Sequence, residues 1–203
     1  MSTALCRLYL SLDPDCPLAA STDALAVVLD AADIACILLR SGADRAVLAE
    51  RARRIIAVAE ARDIAVVIED DAAFALEAGA DGVHLSGGPA GYDEARALLG
   101  ADAIVGVDAG GSRHQAMEAG EKGADYVAIP AGDADMVAWW TSIFQVPCVA
   151  RTGGDLDAAR QAVERAAEFV EMDGSGWPDE RVAIAGVTEM TRLVEDVGCE
   201  LAQ

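Results

Sequence analysis

Acids, histidines and loops of small residues in this sequence could do chemistry, and most of them lie just after a short apolar run. The acids Glu69-Asp70-Asp71 could hold Mg²⁺, which takes one or two carboxylates and completes its shell with water or phosphate oxygens. Acids also suit the first turn of a helix, where the dipole favours negative charge, and that is the preferred reading for Asp71. Gly153-Gly154 and Gly174-Ser175-Gly176 could bind an anion through backbone amides, with Arg151 as a charge-assisted donor. Ser86-Gly87-Gly88-Pro89 has the small residues of a ligand loop but no carboxylate, base or lysine. His84, inside an apolar run, reads as a structural histidine, and His114 as a solvated one.

Something must carry these residues to one place. Apolar runs at 5–11, 35–39, 64–68, 82–85, 103–107, 126–129, 146–150 and 169–172 alternate with Ala-rich amphipathic segments at 22–31, 44–61, 71–78, 91–99, 112–121, 133–143, 155–166 and 179–197. Runs that are apolar throughout suit parallel strands buried on both faces. Two segments, EAGADGVHL (77–85) and EKGADYVAI (121–129), repeat a pattern: a glycine that ends a helix, Ala-Asp, then a strand. The aspartate is expected to hydrogen-bond within that tight turn.

The expected fold is therefore a single compact (β/α)8 TIM barrel over residues 1–203. An open doubly wound sheet is the alternative, weakened by the lack of a GxGxxG after the first strand. In a barrel, the strand ends share one rim: Asp13, Arg40, Glu69-Asp70, Ser86, Asp108, Pro130, Arg151 and Asp173-Gly174-Ser175.

Composition narrows the partners. The net charge is −20, and Lys122 is the one lysine among 15 basic residues. Such a surface repels nucleic acid and anionic membrane, and its acidity also suits solubility or a salty cytoplasm. No apolar run is long enough to span a bilayer, and Met1-Ser2-Thr3-Ala4 is not the start of a signal peptide, so a cytoplasmic location is expected. The five cysteines are scattered without a CxxC, which indicates neither a disulfide framework nor a zinc site. Assembly as a homodimer is compatible with all of this.

The stretch VVIEDDAAFALEAGADGVHLSGGPAGYDEARALLGADAIVGVDAGG resembles the thiamine phosphate synthase / thiazole tautomerase superfamily, a (β/α)8 barrel group. The match is most specific from Ile64 to Ile129 and continues faintly through VPCVARTGG and back to ACILLR. The resemblance implies Mg²⁺-dependent joining of a pyrimidine diphosphate to a thiazole phosphate. In that reaction a pyrimidine cation forms as pyrophosphate leaves, and the thiazole nitrogen captures it.

Taken residue by residue, the resemblance is uneven. The family's Gln-Leu-Arg-x-Lys reads Leu38-Leu39-Arg40-Ser41-Gly42, so Arg40 is kept and the glutamine and lysine are gone. Its Asn-Asp reads Glu69-Asp70, which retains one metal aspartate; its Gly-Gln-Glu-Asp reads Ser86-Gly87-Gly88-Pro89, which lacks the second. The serine expected after strand 5 is Asp108, and the Thr- and Lys-bearing loop after strand 6 is PAGDAD. The tautomerase histidine falls in Gly110-Gly111, with His114 out of register. Gly153-Gly154 match the phosphate glycines, and Ser175 matches the strand-8 phosphate loop.

These comparisons imply a synthase-like protein with weak or lost activity. Arg40 and Asp108 are its candidate catalytic residues; Arg151, Gly153, Gly154, Gly174 and Ser175 its phosphate contacts; Glu69 and Asp70 its Mg²⁺ ligands. The alternatives are a non-catalytic paralogue that binds a phosphorylated small molecule, or a tautomerase-like enzyme using Asp108, Asp70 or His114 for proton transfer.

Overall fold

The computed structural model describes residues 6–42 and 44–201. Eight parallel strands close into a barrel in chain order, β1 Arg7–Leu12, β2 Ile34–Leu39, β3 Ala65–Glu69, β4 Gly82–Leu85, β5 Ile104–Asp108, β6 Tyr126–Pro130, β7 Cys148–Arg151 and β8 Phe169–Asp173, with β8 pairing back onto β1. Leu5, placed in the first strand by the apolar pattern, lies outside the described residues. The helices are α1 Pro17–Ala20, α2 Thr22–Asp30, α3 Arg45–Glu60, α4 Ala72–Ala78, α5 Tyr92–Leu99, α6 Arg113–Lys122, α7 Ala134–Ile143, α8 Leu156–Glu164 and α9 Glu180–Leu201. Among the described residues no helix is long and apolar enough to cross a membrane.

Alternation along each strand sorts side chains into two layers. Outward residues such as Leu8, Leu10, Leu12, Ile37, Leu39 and Ile68 pack under the helices in one large core. Inward residues Tyr9, Cys36, Leu38, Val67, Tyr126, Ala128 and Val149 form a separate core inside the barrel. Toward the strand ends the inward positions turn polar at Ser11, Glu69, His84, Asp108, Arg151 and Asp173.

The helix starts follow from their caps. Ser21, Asp44, Asp71, Ser112, Asp133 and Asp155 each accept a hydrogen bond from an amide in the first turn that the helix leaves unpaired. Asp71 is thus a helix cap, and it also pairs with Arg45. Gly79 and Gly123 end α4 and α6 at φ of 74° and 92°, a conformation that favours glycine.

The repeated Ala-Asp does something other than tie its own turn. Asp81 donates its amide to the Val66 carbonyl and accepts the Val66 amide on its carboxylate at 2.7 Å. Asp125 holds Val105 in the same two-handed way, its carboxylate 2.7 Å from the amide. Glu168 accepts the Cys148 amide at 2.8 Å. In each case an acid just before an even-numbered strand satisfies an amide at the start of the preceding strand.

Candidate functional site

The strand ends bring Asp13, Arg40, Glu69, Asp70, Ser86, Asp108 and Arg151 to the C-terminal rim of the barrel. A small cavity of about 40 Å³ lies there, lined by Arg40, Glu69, His84, Asp108, Arg151 and Glu171 among others. Apolar side chains such as Leu38, Ala128 and Val149 share its walls with charged ones, and those charges answer one another.

Arg40 follows β2 and leans back over β1 and β8. Its guanidinium donates to Asp173 at 2.9 Å, to Ser11 Oγ at 3.1 Å and to Glu171 at 3.3 Å, with Asp13 at 3.6 Å. Burial alone would favour the neutral form of Arg40, but these carboxylates more than offset it and raise its pKa. Asp173 is affected in the opposite sense: burial opposes its charge, while the Ser175 amide and Arg40 hold its pKa below the usual carboxylate value. Glu171 is 4% exposed and also accepts the Ser11 hydroxyl at 2.6 Å. On the far side, Arg151 at the end of β7 pairs with Asp108 at the end of β5, whose other oxygen accepts the Gly110 amide at 2.8 Å.

Beneath this ring runs an aromatic column. Tyr9 Oη lies 2.7 Å from Tyr126 Oη, which lies 2.9 Å from His84 Nδ1, and the imidazole stacks on the Tyr126 ring. Burial lowers the His84 pKa, outweighing the nearby acids Asp108 and Glu69, and it raises both tyrosines. His84 thus faces inward, where burial favours the neutral form of its imidazole. Tyr126 fits because position 106 beside it is glycine: a Cβ there would sit 1.9 Å from the Tyr126 ring.

The carboxylates proposed for Mg²⁺ do not converge. Glu69 accepts both the amide and the hydroxyl of Ser41 at 2.9 Å. Asp70, at φ 55°, accepts the Ser86 amide at 2.7 Å and pairs with the Ser86 hydroxyl, so its work is to fold the loop after β4. Among the described residues no group of three or more His, Cys, Asp or Glu could hold a metal ion. Glu69 and Asp70 are each engaged by a serine of a neighbouring loop, Ser41 and Ser86.

The two glycine loops are engaged to different degrees. The Gly174 amide donates to the Ser11 carbonyl at 2.9 Å and the Ser175 amide to Asp173 at 2.9 Å, while Ser175 Oγ accepts the Asp13 amide at 2.8 Å. The Gly174 amide is spent because the β1–β8 ladder continues past β8, and the Ser175 amide because it closes a turn on Asp173. After β7, the Gly154 amide donates to Thr152 Oγ1 at 3.1 Å; Gly153 and Gly154 stand at φ of 60° and 96°. His114 is exposed in the first turn of α6.

Sequence reasoning did not single out Glu171, Ser11, Tyr9 or Tyr126. Glu171 carried a usable signal, since an acid at the centre of the apolar run FVEMD must face a partner inside the barrel.

The TMP-TENI model, described as thiamine monophosphate synthase, matches residues 8–172, from β1 to the end of β8. The chain belongs to this family. Among curated relatives, the thiamine-phosphate synthase of Rhodospirillum centenum is 39% identical over 204 residues, covering 93% of this chain and 98% of its own length. That of Erythrobacter litoralis is 39% identical over 163 residues, covering 73% and 76%. Among solved structures, a thiamine phosphate pyrophosphorylase from Pyrococcus furiosus superimposes with a TM-score of 0.80 at 21% identity, covering 96% of this chain and 98% of that one. That likeness supports the barrel. At the mouth of this barrel both arginines, Arg40 and Arg151, are held in carboxylate contacts.

Proposed function

We propose that this chain is a cytoplasmic thiamine-phosphate-synthase-type protein of thiamine biosynthesis whose turnover is weak or lost, and whose barrel mouth receives a phosphorylated small molecule of the thiazole phosphate or thiamine phosphate class. The observation that carries the reading is the state of the cations. Departure of pyrophosphate needs positive charge ready to receive it. Arg40 already faces Asp13, Glu171 and Asp173, Arg151 already faces Asp108, and Lys122 is paired with Asp93 on the outer helices.

Within this reading Arg151 and the Gly153-Gly154 turn receive the phosphate, and Gly174-Ser175 shape the neighbouring wall. Arg40 orders the β1–β8 side of the mouth. Asp108, committed to Arg151 and the Gly110 amide, is poorly placed as a proton carrier. Binding with little turnover follows more naturally than tautomerase-like proton transfer.

The test is direct. Purified protein with Mg²⁺, the pyrimidine diphosphate and the thiazole phosphate should form thiamine phosphate at least ~10³-fold slower than a synthase that has the full motif set, since each lost charge-stabilising group costs ~10²–10³. Robust turnover that Asp70→Ala abolishes would overturn the reading.

A further inference from the structure

The Asp108–Arg151 pair has a geometry that ordinary strand-end packing does not require. Asp108 ends β5 and Arg151 ends β7, so the contact spans the whole width of β6. It passes over Ala128, which pairs with Asp108 in register and whose methyl group leaves the gap open. The two partners are unlike in their surroundings. Asp108 is buried and anchored a second time by the Gly110 amide at 2.8 Å, whereas the Arg151 side chain is 41% exposed. Among the described residues Asp108 is the one hydrogen-bond partner of this guanidinium, which has five N–H donors. Most of its donors therefore remain unspent beside the Gly153-Gly154 turn.

We propose that Asp108 is a specificity-determining residue that acts as a built-in competitor for the anion Arg151 would otherwise hold. A fixed carboxylate oxygen occupies one arm of the guanidinium with the charge sign of a ligand oxyanion. A phosphoryl group entering the mouth must displace Asp108 from Arg151, or share the guanidinium with it at close range. Either way a multiply charged anion is disfavoured most. Displacement also strands a buried carboxylate that keeps only the Gly110 amide. Asp108 thus lowers affinity for phosphate and pyrophosphate, and Arg151 is its target. The inference rests on the reading that the mouth receives a phosphorylated ligand.

The experiment is calorimetric titration of the full chain with inorganic pyrophosphate, in the unmodified protein and in Asp108→Asn, Arg151→Gln and the double variant. Asparagine keeps the shape and the acceptor for the Gly110 amide but removes the charge. Asp108→Asn should bind pyrophosphate at least ~10-fold tighter, the tenfold step corresponding to about 1.4 kcal/mol. That gain should vanish in the double variant. An affinity no higher in Asp108→Asn overturns the proposal. So does a gain that survives in the double variant, which would reflect only a less negative surface. If Asp108→Asn does not fold, the arginine Nε–Hε NMR signals of the unmodified protein decide, with Arg151 assigned by its loss in Arg151→Gln. Pyrophosphate must shift that signal, and an unmoved signal overturns the proposal. Product formation reports on synthase turnover separately, so a robustly active protein that shows the gain sinks only the earlier reading, and an inactive one without the gain sinks only this inference.

Discussion

Replacing Arg40 by methionine isolates what the charged ring is worth. Methionine keeps the apolar stem and deletes the guanidinium, which removes contacts at 2.9, 3.1, 3.3 and 3.6 Å to Asp173, Ser11, Glu171 and Asp13. The four losses are unequal. Asp13 and Asp173 have side chains 51% and 34% exposed, so water can replace the arginine, and each loss costs at most about 1 kcal/mol. Glu171 is buried and cannot rehydrate, and breaking a buried pair from one side costs about 3–5 kcal/mol. The Ser11 hydroxyl still donates to it at 2.6 Å, which offsets roughly 1.5 kcal/mol. A net loss of about 3 kcal/mol follows. In a chain of this length it appears as a fall in Tm of roughly 6–12 °C. Urea unfolding and differential scanning calorimetry measure it. Adding Glu171→Gln to Arg40→Met removes the stranded charge and should recover about 2 kcal/mol. If Arg40→Met costs under about 1 kcal/mol, or Glu171→Gln deepens the loss, the ring is not what holds this side of the mouth.

Two further outcomes test the interior. Gly106→Ala places a Cβ 1.9 Å from the Tyr126 ring and should cost about 3 kcal/mol by urea unfolding; adding Tyr126→Leu should restore part of it, and no restoration would mean the clash is not the cause. His84 has its pKa lowered from 6.5 by burial, so below that pH the unfolded chain binds a proton that the folded chain resists, and stability is lost as pH falls. Carboxylates with lowered pKa, such as Asp173, act only at more acid pH. Tm should therefore drop between pH 7 and 5 in the unmodified protein and stay nearly flat in His84→Gln; parallel curves would refute the assignment.

Much of the scaffold could be read from the order of residues because burial on both strand faces leaves an apolar signature. The end of each strand could not be read as well. Apolar patterning stops at Ile68, Val107, Ile129, Ala150 and Met172, yet the ladder runs on through Glu69, Asp108, Pro130, Arg151 and Asp173. Backbone pairing does not depend on side-chain polarity, so a polar residue can close a strand without ending it. The helical turn at Pro17–Ala20, capped by Cys16, carried no amphipathic period long enough to register. The rim residues were recognisable as a set because every βα junction faces one way. Their pairing was not. Arg40 finds Glu171 and Asp173 more than a hundred residues later only because β8 closes onto β1, and nothing local in the chain announces that closure. The partner of the Gly174 amide is hidden for the same reason, since its acceptor is the Ser11 carbonyl of β1, whereas the Ser175 amide turns back locally onto Asp173.

The acids before the even-numbered strands have a consequence for how this chain could be cut and rejoined. Asp81 clasps β3, Asp125 clasps β5 and Glu168 clasps β7, so β3–β4, β5–β6 and β7–β8 are each tied at the bottom by side chain as well as by ladder. On the first pair, Arg7 of β1 makes the equivalent tie to Asp33 just before β2 at 2.7 Å. The barrel is laced as four two-stranded staves. New termini opened between staves, in the helical segments after β2, β4 or β6, leave every lace within one continuous stretch of chain. Termini opened inside a stave separate an acid from the amide or arginine it holds, so a circular permutant of this barrel has natural seams at every second unit.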